Sequence, residues 1–267
     1  MKNRIGIVTT TYPQYKLEEA LKGISNTGFK FIEIVSAIGH VDHVLPRPED
    51  LDKRGANKII NLCKTYDLKI YCVAGHMRLM RENSVSDFKK VIDAAELFGA
   101  NFVTTDTGEV TTKEDENFFF NDISELGNYA NTKNVTICLE THGHWLSNGE
   151  KGAEIIKTIN HPNVRINYDT GNSMMYGNKK AEEDIEYALP YMSFMHLKER
   201  NGGFGEWNFP PLGDGNIDFK KLFNLIKDYK GPISVEIEFE GKPHTINEIN
   251  QAVKKSYDFL KSFGFVS

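Results

Sequence analysis

At 267 residues, with 40% hydrophobic and 26% charged side chains, the chain is long for one ordinary domain but suits a single α/β barrel. Its formal net charge of −5 argues against nucleic acid as a partner, because that contact relies on basic surface to neutralise phosphates. No stretch approaches the roughly 18 apolar residues of a membrane span, and the IGIV near the N-terminus is too short for the core of a secretion signal.

Three cysteines, Cys63, Cys72 and Cys138, form no Cys-x-x-Cys pair and are expected to be reduced thiols of a cytoplasmic protein. Short β-branched runs then alternate with amphipathic stretches along the whole chain. RIGIVTT (4–10) reads as a strand, KLEEALKGISNTG as a helix, and KFIEIVS (30–36) as the second strand. LDKRGANKIINLCKTYD is helical, KIYCVAG (69–75) extended, VSDFKKVIDAAELFG helical, and NFVTTDT (101–107) extended. The strands VTICLET (135–141) and VRINYDT (164–170) follow, then the helix AEEDIEYALP and the strand SFMHLK (193–198). The helix FKKLFNLIKDYK, the strand ISVEIEF (233–239) and the helix TINEINQAVKKSYDFLKSFG close the chain. In NTGFKFIEI and LFGANFVTT a glycine precedes the next strand, the expected left-handed helix stop. Eight such units of about 33 residues (267/8) predict a (β/α)8 TIM barrel occupying residues 1–267 as one domain. An open doubly wound sheet is disfavoured, since no Gly-x-Gly-x-x-Gly follows the first strand.

A barrel of this kind works at the C-terminal ends of its strands. Read at those positions, strands five to eight offer Glu140, Asp169, His196 and Glu236. Any one of them alone reads as a cap, an ion pair or a solvated loop residue. Four on consecutive strands, three of them carboxylates, are costly to bury together without a cation. Mixed oxygen and nitrogen ligation suits one divalent ion, Mn²⁺ first, with Mg²⁺ or Co²⁺ as alternatives. Glu238 shares a strand face with Glu236 and is its rival; Glu236 is preferred, with Glu238 further out or paired to a lysine.

The segments CLETHG, NYDTGN, HLKE and GPISVEIE, spaced by PLGDGNIDF, resemble in this order the xylose isomerase-like barrel superfamily of sugar isomerases and epimerases. The resemblance covers almost the whole chain and implies that Glu140, Asp169, His196 and Glu236 are metal ligands. It also implies that Lys198, two residues past the histidine, points into the site. Two positions depart from the family pattern: Asn172 stands where a histidine is common, and Glu199 where aspartate is usual. The first weakens a direct transfer from the ketose 3-epimerases and argues against a multi-metal DNA-repair enzyme.

Such a site implies a small sugar or keto-sugar substrate and an enediolate intermediate, with Glu140 and Glu236 as the acid/base pair on its two faces. Isomerisation or epimerisation is the leading expectation. A lyase working on a keto-sugar, inosose or keto-glycoside through the same intermediate is the alternative. His76, His142 and Lys198 are candidates for binding substrate, against the plainer readings of capped loop histidines and a lysine in an ion pair. Glu33 reads as a group behind the site or as an ion-pair partner inside the barrel. Trp145 and Trp207 could wall a sugar face or pack on helices, and Arg200 with segment 201–215 reads as a lid. No membrane or nucleic-acid partner is expected, and assembly into a homo-oligomer is compatible with the pattern.

Overall fold

The computed structural model describes residues 4–38, 47–77, 79, 83–239 and 244–266. Eight parallel strands close into a barrel in chain order: β1 (Ile5–Val8), β2 (Phe31–Val35), β3 (Lys69–Ala74), β4 (Phe102–Thr105), β5 (Thr136–Glu140), β6 (Val164–Asp169), β7 (Met192–Lys198) and β8 (Ile233–Glu236). Between and after them run α1 (Leu17–Ser25), α2 (Lys53–Thr65), α3 (Ser84–Phe98), α4 (Lys113–Thr132), α5 (Gly149–Ile159), α6 (Thr170–Met175), α7 (Ala181–Ala188), α8 (Phe219–Leu225) and α9 (Ile246–Ser262). The expected (β/α)8 barrel is therefore the fold. Among the described residues no helix is long and apolar enough to cross a membrane. Cys63, Cys72 and Cys138 are free and buried.

The helices bury one stripe each. In α3 the buried Phe88, Val91, Ile92, Ala95 and Phe98 recur at three- and four-residue spacing, and in α9 Ile249, Ala252, Val253, Tyr257 and Leu260 do the same. Gly99 ends α3 in the left-handed conformation at φ 70°, as expected. Gly28 does not act as such a stop. Helix α1 already ends at Ser25, and Gly28, at φ 114°, instead leaves room for the Tyr257 ring, which a Cβ there would meet at 2.6 Å.

Two irregularities decide what points into the barrel. Opposite the Ile32–Glu33 step of β2, Tyr71 is an extra residue in β3; opposite the Ile166–Asn167 step of β6, Ser193 is an extra residue in β7. The second bulge sets His196 level with Asp169. Phe31, Tyr71, Phe102 and Phe194 meet as a floor, with neighbouring ring centroids 5.5–5.7 Å apart, and the Tyr71 hydroxyl donates to the Ile233 carbonyl at 2.7 Å. Gly6 on β1 makes the floor feasible, since a Cβ there would lie 2.7 Å from that hydroxyl.

Several strands are shorter than their sequences suggest. The first stops at Val8, and Thr9–Thr11 form a 3₁₀ turn. The last stops at Glu236; beyond it Glu238 leaves the barrel to bridge antiparallel with Phe209.

Candidate functional site

Four neighbouring strands deliver one side chain each to a common point. Glu140, Asp169 and Glu236 are the last residues of β5, β6 and β8, and His196 lies two residues before the end of β7. One potential ligand atom from each lies within 4.8 Å of the others, and all four residues are buried. His196 Nδ1 is 3.4 Å from Glu140 Oε2, 3.3 Å from Glu236 Oε2 and 3.7 Å from Asp169 Oδ2. Asp169 Oδ2, His196 Nδ1 and Glu236 Oε2 are buried without a hydrogen-bond partner. Native interiors seldom leave polar atoms in that state. Two carboxylate oxygens and, in the neutral ring, the His196 Nδ1 lone pair, all aimed at one point, fit a bound cation.

The electrostatics are those of a strongly coupled cluster. Burial pushes all three carboxyls up. At Asp169 it prevails over the Lys198 ammonium, and the group sits at about 7. At Glu140 the imidazoles of His76 and His196 outweigh burial, and at Glu236 Lys198 and His196 do, so both fall below the usual carboxylate range. Burial would strip the charge from His196 and Lys198, but the surrounding carboxylates hold both well above their ordinary values.

Each strand-end residue is held by a different set of neighbours. Glu140 accepts from three donors: His76 Nε2 and Asn172 Nδ2, each at 2.8 Å, and Asn167 Nδ2 at 3.3 Å. Asp169 uses Oδ1 to cap α6 through the Asn172 amide at 2.7 Å, which leaves Oδ2 facing the cluster. Glu236 Oε2 lies 3.2 Å from Lys198 Nζ without the alignment of a hydrogen bond. His196 is answered from the far wall, where Glu33 Oε2 lies 2.9 Å from its Nε2.

The remaining predicted residues divide. His76 reaches the cluster, and burial, which works against its charge, is overcome by Glu140, so it rises to about 9. Lys198 also reaches it, donating to Glu238 Oε1 at 2.8 Å and lying 4.4 Å over the Phe209 ring. Glu238 is thus the lysine partner and Glu236 the member of the group. His142 stands off: its Nε2 pairs with the Tyr176 hydroxyl at 3.2 Å, and burial lowers its pKa. Trp145 packs edge-on against Phe119 and Phe120 of α4.

Segment 201–215 is tied at its base. The buried Arg200 guanidinium binds the carbonyls of Asn201, Gly203 and Asn208, and Glu199 accepts from the amides of Arg200, Gly213 and Ile217. Asn167, absent from the residues expected here, is a third support of Glu140. The two-residue alternation before Asp169 already placed it on the same face.

Residues 21–263 match the family model described as a xylose isomerase-like TIM barrel. The chain is 24% identical over 277 aligned positions to a putative L-ribulose-5-phosphate 3-epimerase of Haemophilus influenzae, covering 95% of each protein. It is 29% identical over 120 residues to an L-ribulose 3-epimerase of a Methylomonas species, a match spanning 43% of this chain and only 39% of that one. Among solved structures, a D-psicose 3-epimerase from Clostridium cellulolyticum superposes with a TM-score of 0.77 over 98% of this chain and 99% of its own, at 15% identity.

Proposed function

Since the chain belongs to the xylose isomerase-like TIM barrel family, we propose that it is a ketose epimerase that uses one divalent cation, Mn²⁺ by preference, and acts through an enediolate. The observation that carries this reading is the placement of two carboxylates, Glu140 on β5 and Glu236 on β8, on either flank of the Asp169–His196 pair. The similarity to sugar 3-epimerases supports the same reaction class. Asp169, His196 and Glu236 would hold the cation through their unanswered atoms, and Glu140 through a carboxylate oxygen that also accepts hydrogen bonds. When bound, it would supply Lewis acidity to a substrate carbonyl and the neighbouring hydroxyl, acidifying the C–H of the hydroxyl-bearing carbon α to the carbonyl.

The chain's own groups do the proton work. One glutamate takes the proton from one face of the planar intermediate, and the other returns a proton to the opposite face. Glu140 is clamped by His76, Asn167 and Asn172, whereas Glu236 is held by the charges of Lys198 and His196. Lys198, at the rim of the cluster, and His76, whose side chain is 27% exposed, bind substrate hydroxyls, and His142 beside Tyr176 contacts the far end of the sugar. The substrate is a ketose in a cytoplasmic pathway.

The reading is tested by NMR of a panel of ketoses and keto-glycosides with Mn²⁺-loaded protein in D₂O. An epimer carrying deuterium at the inverted carbon is the expected product. An eliminated product would replace epimerase by lyase, and no exchange on any member of a broad panel would sink the enediolate reading.

A further inference from the structure

We infer that Glu33 is a positioning residue for the candidate cation site, fixing the tautomer and ring plane of His196 from the opposite wall of the barrel. The inference rests on the cation-dependent reading above and assigns a role that none of the four strand-end residues can fill. Glu33 lies on β2, separated from β7 by two strands in one direction round the barrel and four in the other. Its side chain is wholly buried, so each carboxylate oxygen has to be answered inside the barrel. Oε2 lies 2.9 Å from His196 Nε2, and Oε1 accepts the hydroxyl of Thr104 on β4.

These contacts constrain the imidazole. A carboxylate accepts and does not donate, so the ring proton belongs on Nε2 and the lone pair of the neutral ring on Nδ1. Nδ1 is the atom that faces Glu140, Asp169 and Glu236 at 3.3–3.7 Å, with no hydrogen-bond partner of its own. A hydrogen-bonded carboxylate behind a histidine both orients the ring and makes its free nitrogen a stronger donor to a cation. Thr104 in turn holds the carboxylate, so the chain of control runs from β4 through β2 to β7. A merely structural Glu33 would instead be an ion-pair partner filling the barrel, and its loss would weaken the cation-free fold with no selective effect on the cation.

Calorimetric titration of Mn²⁺ into the metal-stripped full chain separates these roles, using the wild type, Glu33→Gln and Thr104→Val. Glu33→Gln keeps the volume but offers an amide that can bond either form of the ring. Its affinity for Mn²⁺ is expected to fall about 10–100-fold with one ion per chain retained. The melting temperature of its metal-free form is expected to stay near that of the wild type. Thr104→Val, which removes only the hydroxyl on Oε1, is expected to weaken binding in the same direction by a smaller factor. Wild-type affinity in Glu33→Gln overturns the inference; if that variant does not fold, wild-type affinity in Thr104→Val overturns it. A wild-type chain that binds no Mn²⁺ sinks the cation site itself, an outcome distinct from binding that ignores Glu33.

Discussion

Two glutamates that look interchangeable at the ends of β5 and β8 sit in unlike surroundings. Glu140 has three donors on it, two at 2.8 Å, while Glu236 Oε2 has none. Gln at 140 would set its amide against the Asn172 or His76 donor, so Glu140→Gln should lose more Mn²⁺ affinity than Glu236→Gln. Both are expected to lower turnover by roughly 10²–10⁴-fold, the usual worth of a positioned acid or base. If each glutamate serves a different face, one of the variants should still exchange the substrate α proton with D₂O without completing the reaction. Normal turnover in both variants, with the ion still bound, would show that another group moves the proton. The quartet itself was legible because strand ends and two-residue alternation are local properties of sequence. Glu33 was legible as a group behind the site or an ion-pair partner, but its pairing with His196 was not: the two lie 163 residues apart, and only barrel closure puts them together. Asn172 stood out as a departure from the family pattern, yet its task of holding Glu140 appears only once β5 and α6 are side by side.

At the scale of elements, the loop after β5 depends on one acid in α7. Asp184 Oδ2 accepts the Gly149 amide at 2.6 Å and the Tyr168 hydroxyl at 3.0 Å, and Oδ1 accepts the Glu150 amide at 3.3 Å, so α7 caps α5. Ser173 of α6 donates to the same carboxylate at 3.2 Å. Gly149 permits this approach, since a Cβ there would lie 2.9 Å from Asp184 Oδ2. Asp184→Ala leaves these buried donors unanswered and should destabilise the fold by about 2–4 kcal/mol, given roughly 1–3 kcal/mol for each unsatisfied group and partial relaxation. Urea unfolding would check it; a loss near zero would mean that water replaces the carboxylate. None of this network was expected from sequence. Helix α6, six residues long, is too short to show a period, and its start is set by the cap that Asp169 provides. The apparent strand 233–239 ran too far because alternation continues through Ile237, although the backbone has already turned to pair with Phe209.

Taken whole, the barrel concentrates charge on one side. All four members of the cluster come from β5 to β8, and their buried carboxylates crowd one small space. A cation that binds only the folded chain adds stability by mass action, about 2.7 kcal/mol at a hundredfold excess over its Kd. For a chain of this size that corresponds to a rise in Tm of roughly 5–10 °C, which EDTA should reverse. Scanning calorimetry with and without Mn²⁺ would test it, and an unmoved Tm would count against a folded-state site. The alternation of strands and helices carried the architecture into the sequence; the aromatic floor was hidden, because it depends on the bulges at Tyr71 and Ser193.

That floor makes the barrel a blind alley. Phe31, Tyr71, Phe102 and Phe194 shut the passage beneath His196, so arrivals and departures share one doorway. Whatever seats itself deepest has to come in first and go out last. With an ion seated on the cluster, a sugar lying across the doorway would act as a stopper and hold the ion for as long as the guest stays.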